Sequence, residues 1–170
     1  MDLPPVDLNA PPAPGTLLRP GVRVLVIDSA NRVLLFRSQD EAGRPFWFPP
    51  GGGSEPGETA EETAQRELWE ETGLRDVVLA AEIGRRRGIA SWGGATYDCR
   101  ERWFLAHVPA FAITTARFTE LEQALIAEHR WWSTSELEAT TDRLVPGSLA
   151  RLVRSLLHNG PPAQPLNLEF

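Results

Sequence analysis

Apolar and polar positions alternate between two periods along this chain. From Val22 to Ile27 every position except Arg23 is aliphatic. In an extended chain Val22, Val24 and Val26 fall on one side and Leu25 and Ile27 on the other, so the run predicts a strand buried on both faces. Asp28-Ser29-Ala30-Asn31 is turn chemistry, and Val33 to Phe36 returns as a second strand, which makes a hairpin. The aromatic segment Phe46-Trp47-Phe48 leads into Pro49-Pro50-Gly51-Gly52-Gly53, and Glu58 to Thr72 then holds strong helix formers with no Gly or Pro. Gly73 is placed to end that helix. Downstream, Val77 to Ile83 and Trp103 to Val108 predict strands, with a Gly-containing, Arg-rich connection from Gly84 to Tyr97. Thr119-x-x-Glu122 and Ser133-x-x-Glu136 are capping-box patterns for two short helices, with a strand at His129 to Trp132 between them. In Ser148 to His158, Leu149, Leu152, Val153 and Leu156 share one side of a last amphipathic helix. The order predicts an α/β fold with a mixed sheet between helices.

Composition narrows this picture. A length of 170 residues with 42% hydrophobic content suits one domain with one continuous core. Residues 1–18 and 160–170 are proline-rich and lack apolar periodicity, so they are expected to be disordered tails around a folded domain at 19–159. A net charge of −6 gives no broad basic surface, which argues against polymeric nucleic acid as a partner. The aliphatic run from Val24 to Ile27 is far too short to cross a bilayer, and Cys99 is the only cysteine, so no intramolecular disulfide forms. A cytoplasmic location with no membrane partner is the expectation; oligomeric state stays open, a homodimer included.

The chemistry lies between Gly52 and Leu74. At about 100° per residue, Glu70 lies about 60° to one side of Glu67 and Glu71 about 40° to the other, so three carboxylates share one helical face. That face borders the apolar stripe carrying Ala60, Ala64 and Leu68, and like charges there repel unless something neutralises them. A divalent cation does so. Carboxylate oxygens suit Mg2+, with Mn2+ as a substitute, and Mg2+ is commonly shared between a few carboxylates and the phosphates of a substrate. The preceding glycines let backbone groups approach phosphate or metal without an intervening side chain.

Gly52, Glu58, Arg66, Glu67, Leu68, Glu70, Glu71, Gly73 and Leu74 fill every fixed position of the pattern Gly-x5-Glu-x7-Arg-Glu-U-x-Glu-Glu-x-Gly-U, with U a bulky aliphatic. In this the chain resembles the Nudix hydrolases, and the flanking Trp47-Phe48-Pro49 and Trp131-Trp132-Ser133 are similar to that family too. The resemblance implies a Nudix-type α/β/α sandwich around a mixed β-sheet. It also implies hydrolysis of a nucleoside diphosphate linked to another moiety, such as a nucleoside triphosphate or nucleotide sugar. On the same basis Glu67, Glu70 and Glu71 are implied as Mg2+ ligands with the carbonyl of Gly51. Arg66 is implied to orient the glutamates, and Glu58 to tie loop to helix or support the metal shell. The general base is one of these acids or a downstream residue, with Glu120, Glu122 and Glu128 as candidates.

Specificity is less legible. Arg85, Arg86 and Arg87 are candidates for gripping outer phosphates, against the simpler reading of a solvated arginine run; Trp92, Tyr97 and Trp47 are candidates for stacking on a base, against a place in the core. A nucleotide-binding or regulatory module of the same fold, without catalysis, is the alternative function; the complete set of acids favours the enzyme.

Overall fold

A computed structural model describes residues 6–114 and 117–168, apart from the side chains of Leu121, Glu122 and Leu125. The hairpin is present as β1 (Leu17–Asp28) and β2 (Val33–Gln39), joined in register at Ile27 and Val33. β3 (Pro45–Phe48) pairs antiparallel with β2, and β6 (Glu128–Trp132) also pairs with β2. β1 runs parallel to β5 (Ala95–Val108) over its whole length. β4 (Leu79–Trp92) lies antiparallel beside β5, and β7 (Leu166–Leu168) adds a parallel edge to β4. The sheet is mixed, in the order β3-β2-β1-β5-β4-β7.

Helices cover both faces, and the alternation along β1 decides which residues meet which helix. Val22, Val24 and Val26 pack with Phe104 and Ala106 against Ala64 and Leu68 of α1 (Ala60–Thr72). Leu25 and Ile27 pack with Trp103 and Leu105 against Leu149, Leu152, Val153 and Leu156 of α4 (Leu149–Asn159) and Leu137 of α3 (Thr134–Ala139). The result is an α/β/α sandwich. A short α2 (Glu120–Leu125) precedes β6.

α1 starts two residues later than the helix formers alone predict. Thr59 caps it, accepting from the Glu62 N–H while the Glu62 carboxylate accepts from the Thr59 N–H. Gly73, at φ 79°, ends it by donating to the Trp69 carbonyl.

Three segments differ from the sequence expectation. Gly84 to Tyr97 is not an irregular connection: β4 and β5 continue through it to a turn at Gly93-Gly94. Arginines survive inside this ladder because each finds a carboxylate nearby: Arg85 with Glu82, Arg86 with Glu101 and Arg87 with Asp98. At the N-terminal end, β1 already begins at Leu17, and the segment before it lies on the same end of the sheet. Asp98 accepts from the Ala13 N–H, and the carbonyls of Leu8 and Pro11 accept from Arg100 and Arg87. β7 falls within residues 160–170, where no apolar period marked a strand.

Candidate functional site

The stretch between β3 and α1 is built onto the free edge of β1. β2 meets β1 only near its end, so the first half of β1 has unpaired backbone groups. The loop satisfies them: Val22 N–H donates to Gly52 O and Val24 N–H to Pro50 O, both at 2.9 Å, while Ser54 N–H donates to Pro20 O at 3.0 Å. Gly51 sits at φ 137°, and a Cβ there would collide with the Val22 carbonyl oxygen. Only glycine fits that contact.

α1 then brings its acids to this loop. Glu71, 2% exposed, accepts from the Gly51 N–H at 2.8 Å. Glu67, 6% exposed, lies where a Cβ on Gly52 would strike its carboxylate, so the missing side chain at Gly52 makes the space it occupies. Glu70 is the more open of the three, with 28% of its side chain exposed.

Arg66 is the hub of the arrangement. Its Nε and Nη2 donate to the two carboxylate oxygens of Glu58 at 2.7 and 3.0 Å, and its Nη1 donates to Glu67 at 2.9 Å and Glu70 at 3.3 Å. Nη2 also donates to the Gly53 carbonyl at 2.9 Å. Glu58 accepts further from the Glu55 N–H and the Thr63 hydroxyl. The hydrogen bonds from Arg66 and then Glu55 lower the Glu58 carboxyl to about 2, and the same pairing pushes the Arg66 guanidinium up.

Helix, loop and sheet edge therefore meet at Glu58, Arg66, Glu67, Glu70, Glu71 and Gly51. In this structure Arg66 supplies countercharge to Glu67 and Glu70, and Glu71 accepts from the Gly51 N–H. Among the described residues no three His, Cys, Asp or Glu side chains stand together as a metal cluster. The donors are nonetheless all carboxylate or carbonyl oxygens, the hard set suited to Mg2+ or Mn2+, and Glu70 is open to solvent beside two held acids. The residues fit such an ion.

The downstream acids are not brought to this centre by any hydrogen bond among the described residues. Glu120 is exposed at the start of α2, and Glu128 is exposed on β6 beside Arg37 at 3.7 Å. The Glu122 side chain lies outside the described residues. Trp47 belongs to the core, its indole N–H donating to Asp142 at 2.9 Å.

One residue beside the loop carried a signal in the sequence that only the structure explains. Arg23, the sole polar side chain within the aliphatic run of β1, donates through Nη1 to the Gly51 carbonyl at 2.8 Å and through Nε to Glu101 at 3.2 Å. Burial works to raise the Glu101 carboxyl, but the charges of Arg23 and Arg86 outweigh it and hold it below the ordinary range. Glu101 thus anchors an arginine that reaches the loop from the α4 side of the sheet.

Comparison with known proteins bears on the family and the fold. The sequence pattern of the NUDIX domain family matches residues 17–153. The chain is 31% identical over 142 residues to an RNA pyrophosphohydrolase of Novosphingobium aromaticivorans, covering 78% of this chain and 86% of that protein. A Bacillus subtilis protein is 44% identical over 64 residues, which is 38% of this chain and only 40% of that protein's length. Among solved structures, a NUDIX hydrolase from Nitrosomonas europaea superposes with a TM-score of 0.60 at 17% identity, covering 85% of this chain and 92% of that one. At that identity the likeness concerns the fold.

Proposed function

Since the chain belongs to the Nudix domain family, we propose that it is a pyrophosphohydrolase that cleaves the diphosphate linkage of a nucleoside diphosphate joined to another moiety, using water and Mg2+. The observation that carries this reading is the single guanidinium of Arg66 holding Glu58, Glu67, Glu70 and Gly53 O while Glu71 holds Gly51. Such fixed placement is what a catalytic site needs and what a solvated acidic helix does not require.

Glu67, Glu70 and Glu71, with the Gly51 carbonyl, would hold the metal. A bound Mg2+ supplies polarisation of the phosphoryl oxygens and a more acidic water. Glu70, the open acid, faces incoming substrate and solvent. Glu58 and Arg66 keep the carboxylates in place, and one of Glu67, Glu70 and Glu71 or a downstream acid takes the proton of the attacking water. The substrate is a small nucleotide, in keeping with the net charge of −6.

The test is a panel of nucleoside triphosphates, nucleotide sugars and dinucleoside polyphosphates with Mg2+, read as phosphate released after a coupled phosphatase. Triphosphorylated RNA belongs in it because the Novosphingobium relative is named for RNA. Turnover that is lost in excess chelator supports the proposal. Tight nucleotide binding without turnover of any compound would instead support the non-catalytic module.

A further inference from the structure

The arginines that the sequence offers for phosphate are committed elsewhere. Arg85 pairs with Glu82 at 2.8 Å, Arg87 with Asp98 at 2.7 Å, and the buried Arg86 with Glu101 at 3.3 Å. Arg19, near the start of β1, is different. It makes no ion pair or hydrogen bond among the described residues, although it is only partly exposed.

Register places Arg19 on β1 beside Cys99 of β5, on the sheet face that also carries Arg23 and Glu101. Its guanidinium carbon lies 4.9 Å from the centroid of the Trp92 ring. Trp92 in turn stacks on Tyr97, with centroids 4.0 Å apart and planes inclined by 16°. The same guanidinium packs against the catalytic loop: Nη2, Cζ and Nη1 lie 3.3, 3.4 and 3.7 Å from where a Cβ on Gly53 would stand. Three nearly equal distances mean that the flat side of the group faces Gly53.

A guanidinium whose flat side faces Gly53 and whose carbon lies over the Trp92 ring keeps N–H donors along its edge available, and those donors match phosphate oxygens in a fork. Gly53 meets a second arginine through its carbonyl, but that one, Arg66, already serves Glu58, Glu67 and Glu70. We infer that Arg19 binds a phosphate oxygen of the substrate's polyphosphate chain as that chain crosses the Gly51–Gly53 loop, with the Trp92–Tyr97 stack as the prop that holds Arg19 there. This rests on the hydrolase reading for the identity of the anion. Trp92 is a positioning residue in it, acting through Arg19. Gly53 contributes by lacking the Cβ that would crowd the guanidinium.

Two measurements on the full chain test the assignment. The first is titration calorimetry of inorganic tripolyphosphate with excess Mg2+; the second is KM and kcat for the nucleotide that the panel selects. Charge-assisted hydrogen bonds contribute enough that Arg19→Ala should weaken tripolyphosphate binding and raise KM by about 10-fold or more, with kcat much less affected. Arg19→Lys should recover part of this, since it restores the charge without the fork. Trp92→Ala should weaken binding less than Arg19→Ala and add nothing in the double variant, whereas Trp92→Phe should retain most of the affinity. Melting temperatures should stay near the parent value throughout. Unchanged binding in Arg19→Ala would overturn the assignment, and so would a Trp92→Ala effect that persists in the Arg19→Ala background. Tripolyphosphate binding through Arg19 in a protein that turns over no compound would sink the hydrolase reading and support the Arg19 site.

Discussion

Glu71 on α1 accepts a 2.8 Å hydrogen bond from the backbone N–H of Gly51, 20 residues earlier in the chain. The loop end of this bond is fixed to β1 through Val22 and Val24, and the helix end is fixed by the buried Leu68. One carboxylate oxygen is thereby used for architecture. The bond also explains why so buried a glutamate is tolerated: a backbone N–H partly offsets the cost of removing its charge from water.

Glu71→Gln keeps the shape and an oxygen for Gly51 while removing the charge. Hydrolysis should fall by about 10²-fold or more, the scale on which fixed electrostatic groups act at a catalytic site. In chelator the variant should melt no lower than the parent, because relieving repulsion among Glu67, Glu70 and Glu71 compensates the weaker bond. The rise in melting temperature that Mg2+ gives the parent should shrink. Parental turnover and an unchanged Mg2+ response would remove Glu71 from the metal site.

Arg66 spans more partners than any lysine could. Arg66→Ala removes the guanidinium that Glu58, Glu67 and Glu70 share and should cost about 2 kcal/mol in urea unfolding; partial exposure of the group keeps the figure at the low end for charged hydrogen bonds. Arg66→Lys should recover less than half of the stability and little of the turnover, since one ammonium cannot serve Glu58, Glu67, Glu70 and Gly53 at once. Full recovery by lysine would show that charge alone matters.

Much of this was legible before the structure because short-range rules decide it. The β1–β2 hairpin follows from alternation, the end of α1 from Gly73, and the clustering of Glu67, Glu70 and Glu71 from helical spacing. The arms of β4 and β5 were not legible. Arg85, Arg86 and Arg87 look like a solvated run until each partner is known, and Glu82, Glu101 and Asp98 reach them only through pairing. Arg19 was hidden in the same way, since its partners Gly53 and Trp92 lie far along the chain. β7 escaped because three residues, Leu166 to Leu168, carry no period, and its place is set by the edge of β4.

Leu68 is fully buried between α1 and the sheet, one residue from Glu67. Leu68→Ala should cost about 2–5 kcal/mol in unfolding, depending on how far the site collapses around the lost methylenes. The surviving protein should need more Mg2+ for half-maximal hydrolysis, because acids on a loosened helix share a cation poorly. Thermal unfolding and metal dependence are measured on the same preparation. A large loss of stability with an unaltered metal optimum would show that the loop contacts alone hold the acids in place.

Asp98 should govern stability in acid. Its carboxylate is fully buried and accepts from Arg87 Nη2 at 2.7 Å, Arg100 Nη2 at 3.0 Å and the Ala13 N–H at 3.1 Å. The hydrogen bonds from Arg87 and then Arg100 hold it well below its ordinary 3.8. A carboxyl whose folded value lies below its unfolded one contributes its full stability above the unfolded value. As pH falls below that point the unfolded chain gains the proton first, so the contribution shrinks until the folded value is also passed. The parent should therefore lose stability from about pH 4 downward. Asp98→Asn should flatten this slope and cost about 3 kcal/mol at neutral pH, because the buried Arg100 loses its countercharge. Removing residues 1–13 takes away the Ala13 donor and the Leu8 and Pro11 acceptors, and should give a smaller loss in the same pH range. Urea unfolding of the three proteins from pH 3 to 7 checks this. Parallel pH profiles for the parent and Asp98→Asn would place the acid-sensitive charge elsewhere in the fold.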